Sequence, residues 1–201
     1  TAYENLSKRN SDRYQYVLPY YDFSRSFFTN NNFASFNFVS QGDNILKDTN
    51  SLRSRMINNL DIQSYGYFSE NGFKNNFNYY LKNTISAGKN NTEYDSSPHV
   101  KFMNIFELVS SFPLISTSET YSNYLDPKIS LRVNPSDMKS YKNENRQISN
   151  DNLFNINRLG LIDTLESGNN LTLGLDFKRE NIDNINKYFE FKLGKVLRTK
   201  T

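Results

Sequence analysis

Apolar residues recur at every second position along several stretches of the chain, with polar residues between them. Leu171, Leu173, Leu175 and Phe177 alternate with Thr172, Gly174, Asp176 and Lys178. Leu125, Pro127, Ile129, Leu131 and Val133 alternate with Asp126, Lys128, Ser130, Arg132 and Asn134. Phe73, Phe77, Tyr79 and Leu81 run against Lys74, Asn76, Asn78 and Lys82. Successive side chains of a strand point to opposite faces, so each stretch has one apolar and one polar face. A helix would need spacings of three and four, and no long stretch has them. The pattern predicts an all-β chain with strands at 13–24, 32–40, 51–67, 73–83, 99–113, 121–134, 168–179 and 187–197, about eight in number.

The connections carry a second pattern. Segment 25–31 is short, Ser69-Glu70-Asn71-Gly72 is tight with a hairpin-type Asn-Gly, and 114–120 and 180–186 are short. Between them lie longer links at 41–50, 84–98 and 135–167. Short–long alternation belongs to an antiparallel up-and-down meander of the barrel type. A Greek-key sandwich has no reason to show it. The three longer links are expected on the outer side of a membrane.

Composition changes the picture in one respect. Only 36% of residues are hydrophobic and mean hydropathy is −0.73, yet 15% are aromatic, all of them Phe or Tyr. A transmembrane β-barrel has this balance, with a narrow apolar band outside and a polar lumen. Abundant Asn, Ser and Lys also mark disordered chains, but regular alternation and many aromatics oppose that. Ile129, Leu131, Leu171, Leu173 and Leu175 are therefore expected to meet lipid. Lys128, Arg132, Thr172, Asp176 and Lys178 are expected to face the lumen, where Thr172→Arg should be tolerated far better than Leu173→Arg. No apolar run is long enough for a transmembrane helix. With no initiator Met, no signal-like segment and no terminal aromatic, residues 1–201 are expected to be an internal portion of a barrel domain, with no complete domain boundary inside.

Candidate chemistry is sparse. His99 is the lone His, with no Gly-x-Ser-x-Gly elbow to make a triad. Asp163 and Glu166 lie in a Gly- and Asn-rich loop where solvated carboxylates are ordinary. No Gly-rich phosphate loop, EF-hand or His-x-x-His is present. The expectation is a non-enzymatic chain with no cofactor and no metal. Zero Cys excludes a disulfide or thiolate site here, and a net charge of +3 is too small to imply nucleic acid. Pro19, Pro113 and Pro127 each remove a ladder donor and are read as strand ends, bulges or local defects. The second half of 135–167 holds Leu153, Phe154, Ile156, Leu159, Leu161, Ile162 and Leu165, too apolar for a free loop. It is expected to fold back onto inner strand residues, with Arg158 and Asp163 free to pair with each other or with lumen groups.

One stretch is more specific. From Asn152 the chain reads Phe154, Asn157-Arg158, Gly160, Asp163, Glu166, Gly168-Asn169 and then the alternating Leu171–Leu175 strand. This resembles the barrel domain of the LptD family, the lipopolysaccharide assembly (organic solvent tolerance) proteins of the outer membrane. Similar pieces line up in order: Asp12-Arg13-Tyr14 with Leu18-Pro19, Phe106-Glu107-Leu108, Phe112-Pro113-Leu114, Leu125-Asp126-Pro127-Lys128 and Phe191-Lys192-Leu193-Gly194. Thr164 departs from the family pattern, in which Arg often follows the Asp. The resemblance implies a middle portion of a large barrel that inserts lipopolysaccharide into the outer leaflet. It also implies an LptE-like lipoprotein plug, an LptA-like periplasmic bridge and outer-membrane lipid as partners, and the bacterial outer membrane as location. A passive outer-membrane channel or small barrel, and a soluble extracellular β-sandwich adhesin, stay open as alternatives.

Overall fold

The alternating segments all become strands of one sheet. The computed structural model describes residues 2–4, 14–28, 33–47, 50–138, 147–161 and 164–199. The strands are β1 (Ala2–Glu4), β2 (Tyr14–Phe28), β3 (Ala34–Lys47), β4 (Ser51–Ser64), β5 (Tyr67–Phe68), β6 (Lys74–Lys89), β7 (His99–Ser111), β8 (Leu114–Thr117), β9 (Tyr121–Asn134), β10 (Gly168–Asn181) and β11 (Tyr188–Arg198). They lie in the order β1-β2-β3-β4-β6-β7-β9-β10-β11, every pairing antiparallel, with β5 beside β6 and β8 beside β9. The chain is an all-β antiparallel meander. Among the described residues there is no helix, and no pairing joins β11 back to β1 or β2.

Several links expected to be loops are partly strand. β3 continues through Gly42-Asp43-Asn44 to Lys47, and β6 continues to Lys89. Turn-forming residue types misled at β3, where cross-strand partners hold each of them. Asp43 receives Arg53 at 2.9 Å and Arg55 at 2.9 Å from β4. Gly42 lies under the ring of Tyr21, so close that an added Cβ would sit 2.2 Å from a ring carbon. The link expected at 114–120 likewise contains β8.

Pro19 and Pro127 meet the ladder in different ways. Pro19 lies inside the register shift between Val17 and Tyr20. Pro127 stands opposite Phe112 in an unbroken register, since Ser111 pairs with Lys128 and Leu114 with Leu125. Phe112 N–H donates to the Pro127 carbonyl at 3.0 Å, and the return bond is missing because Pro127 has no N–H. That single loss separates β7 from β8. The gap between β4 and β5 is different: register shifts by one at Tyr65-Gly66, and the Ser64 hydroxyl accepts from Phe77 N–H at 2.7 Å.

Register sorts side chains onto two faces. Phe77, Leu108, Leu131, Leu171 and Leu197 form one row across five strands, with Phe106, Val133, Ile129, Leu173, Phe191 and Leu193 around it. Most of these are exposed, and among the described residues no other layer covers them. At the short-turn end this face becomes aromatic, with Phe73 against Phe112, Phe177 against Phe189, and Arg179 over Tyr121. Polar groups on it satisfy one another: Tyr21 Oη meets Ser40 Oγ, Ser40 donates to Asn58 at 2.6 Å, and Asn58 donates to Asn83 at 3.1 Å. The opposite face carries a polar row, Gln63, Asn78, Glu107, Arg132, Asn170 and Arg198.

Candidate functional site

The described part of the long link, 147–161 and 164–167, lies on the polar face. Leu153, Leu161 and Leu165 are buried there, and Leu165 joins Met103 and Ile105 of β7 in a small core, with Tyr80 and Ile156 packed around it. The sequence makes this docking local and cheap. Asn157 N–H-to-carbonyl mimicry closes a turn: its Oδ1 accepts from Leu161 N–H at 3.0 Å, and its Nδ2 donates to the Leu161 carbonyl at 2.8 Å. Gly160 supplies the left-handed φ of 63° that this turn needs. Across the sheet, Gly174 and Gly194 are a direct cross-strand pair. Together they form a notch for Leu153-Phe154: a Cβ on Gly194 would sit 2.1 Å from Leu153 Cδ2, and one on Gly174 2.5 Å from Phe154 Cε2.

Beneath the loop lies a buried ionic cluster. Glu107, 1% exposed, accepts from Arg132 Nη2 at 2.7 Å, Ser130 Oγ at 2.9 Å and Asn78 Nδ2 at 3.0 Å. Arg132 also donates to the Asn155 carbonyl at 2.9 Å. Arg158 grips Glu166 through two bonds, Nε to Oε2 at 2.6 Å and Nη2 to Oε1 at 2.9 Å, and donates to Thr172 Oγ1 at 3.1 Å. Arg198 pairs with Glu166 as well, and Asn134 holds the Glu166 carbonyl at 2.7 Å. Charged groups this far from water persist only when paired and hydrogen-bonded. Both link and sheet contribute: Arg158 and Glu166 come from the loop, Glu107, Arg132 and Thr172 from the strands.

Several expectations change here. Glu166 is no solvated carboxylate but a buried anchor, 5% exposed. Arg158 pairs with Glu166, and Asp163, like Ile162 and the polar segment 139–146, lies outside the described residues. Thr172 shares a face with Lys128, Arg132, Asp176 and Lys178, but it is buried under the loop and bonded to Arg158. Thr172→Arg would therefore add a further guanidinium to a filled site that already holds Arg132, Arg158 and Arg198, and tolerance there is not expected. Lys128 bridges Asp126 at 3.1 Å and Asp176 at 2.7 Å, and Lys178 pairs with Glu180 and stands over the Tyr188 ring. Gly168, at φ 86°, and Asn169 open β10 and take no part in the cluster. Glu107 and Arg198 are the members to which sequence reasoning assigned no role, whereas Ser130, Asn134 and Asn78 stand on the polar side of the alternating pattern. Counting alternate positions from Arg132 and Lys128 places Ser130 on their face, but nothing local marks Glu107.

The notch gives a direct test. Gly194→Leu should force Leu153 out, destabilising by about 1–3 kcal/mol as overpacking does. In the native protein, Leu161→Cys should react with a thiol reagent far more slowly than Asp151→Cys, whose parent side chain is 86% exposed. Adding Gly194→Leu should bring the two rates together. Equal rates without it would mean the loop is not docked. In sequence comparisons, no family model and no curated protein matches the chain.

Proposed function

We propose that this chain is part of an outer-membrane β-barrel that delivers lipopolysaccharide to the outer leaflet. The observation that carries the reading is the pair of unlike faces on one sheet, the apolar one uncovered among the described residues. An apolar face that spans the meander and has no described layer over it suits lipid, and an aromatic fringe at one end suits the membrane interface. The polar face then lines a lumen in which amide, hydroxyl and guanidinium groups meet sugars and phosphates. The resemblance of 152–175 to the LptD family supplies the cargo. An LptE-like plug, an LptA-like bridge and outer-membrane lipid are the partners this reading proposes, with no chemical step assigned to the chain.

Depleting the protein from its native bacterium is the test. Newly made lipopolysaccharide should stop reaching the cell surface and accumulate in the inner parts of the envelope. Normal surface lipopolysaccharide combined with reduced uptake of small solutes would instead favour a passive channel and end the transport reading.

A further inference from the structure

Between the docked loop and the short-turn side of the polar face lies a cavity of 490 Å³. Its floor holds Gln63 of β4, Asn76 and Asn78 of β6 and Glu107 of β7, and Phe154 and Asn155 of the loop form its roof. The carboxylate is spoken for, since Ser130 and Arg132 donate to Oε1 and Asn78 to Oε2. Gln63 donates to Asp61 and Asn78 to Glu107, each leaving its amide oxygen open. The side chains of Asn76 and Asn155 make no hydrogen bond among the described residues. What the cavity offers is a set of uncharged groups that both donate and accept, beside an aromatic ring. Its volume falls in the usual range for small-molecule sites, roughly 300–1,000 Å³.

Primary amides present a carbonyl oxygen and two N–H donors a short distance apart. Neighbouring hydroxyls of a sugar ring, each donor and acceptor, match that arrangement. A phosphate or carboxylate would find no unpaired cation on the floor or roof. We infer that this cavity binds a neutral saccharide unit, with Asn76 and Asn155 as its principal hydrogen-bonding groups and Phe154 against the apolar face of the ring. The inference concerns binding alone and does not depend on lipopolysaccharide being the cargo.

Calorimetric titration of the full-length protein in detergent micelles tests it. The probes are the neutral disaccharides maltose and lactose, with glucose 6-phosphate and inorganic phosphate as the charged arms. At least one neutral disaccharide should bind saturably, more tightly than either charged probe. Asn76→Leu and Asn155→Leu should each weaken that binding at least tenfold, and Asn91→Leu, in the distant β6–β7 link, should leave it unchanged. Asn155 is exposed on the loop, so its variant keeps the sheet intact, and native heat-resistant migration on gels verifies folding for each protein. Absence of saturable binding by both disaccharides, preference for phosphate, or binding indifferent to both substitutions would each overturn the inference. Normal surface lipopolysaccharide after depletion would remove the transport reading and leave this binding untouched.

Discussion

Glu166→Ala should destabilise the folded protein by about 3–5 kcal/mol, the range for removing one partner of a buried ion pair. The carboxylate accepts two hydrogen bonds from Arg158, pairs with Arg198 and lies 3.8 Å from Arg132 Nη1. Its loss leaves Arg158 buried with only the Thr172 hydroxyl and the Leu153 carbonyl as acceptors. Urea unfolding in lipid vesicles reads the change. The double variant Arg158→Met with Glu166→Leu should recover much of the loss, because apolar replacements of similar volume need no desolvated charge. A Glu166→Ala effect within about 0.5 kcal/mol, the usual size for surface substitutions, would mean that the cluster is solvated and the loop loosely held.

The second large effect concerns the faces. Leu131→Arg should cost about 2–4 kcal/mol if the apolar face meets the bilayer near its midplane. Leu131 is a sharper site than Leu173. It lies between Leu108 and Leu171 in a wholly apolar row, whereas Leu173 pairs across with Lys195. The matched change on the other face is Ser122→Arg, which sets the new guanidinium opposite Glu180. Its effect on folding yield into vesicles should be small. Equal losses from both changes would refute the assignment of faces to lipid and lumen.

Period-two alternation makes the sheet legible in the sequence. β9 and β10 begin where the pattern places them, because burial and exposure there follow side-chain direction alone. The reading failed where long-range partners overrule local preference. Gly42, Asp43 and Asn44 look like a turn, but the ladder to β4 runs through all three, with Tyr21 packed on Gly42 and Arg53 and Arg55 bound to Asp43. The docked loop was legible from its apolar residues, but its anchors were not. Arg158 has two carboxylates nearby in sequence, and choosing Glu166 requires knowing that Arg132 and Arg198 converge on the same spot. Glu107 is invisible for the same reason, since its partners come from two other strands, Asn78 from β6 and Ser130 and Arg132 from β9. The Gly174–Gly194 notch is also a pairing property, readable only once register is known.

Pro127 has a consequence for the mechanics of the wall. On either side of it the rungs between neighbouring strands keep the same register, and only one rung is absent. A bulge changes register and locks a bend into the strand that carries it. A missing rung with register preserved does neither. It marks a crease, a line along which the sheet can flex while every flanking rung prevents it from slipping.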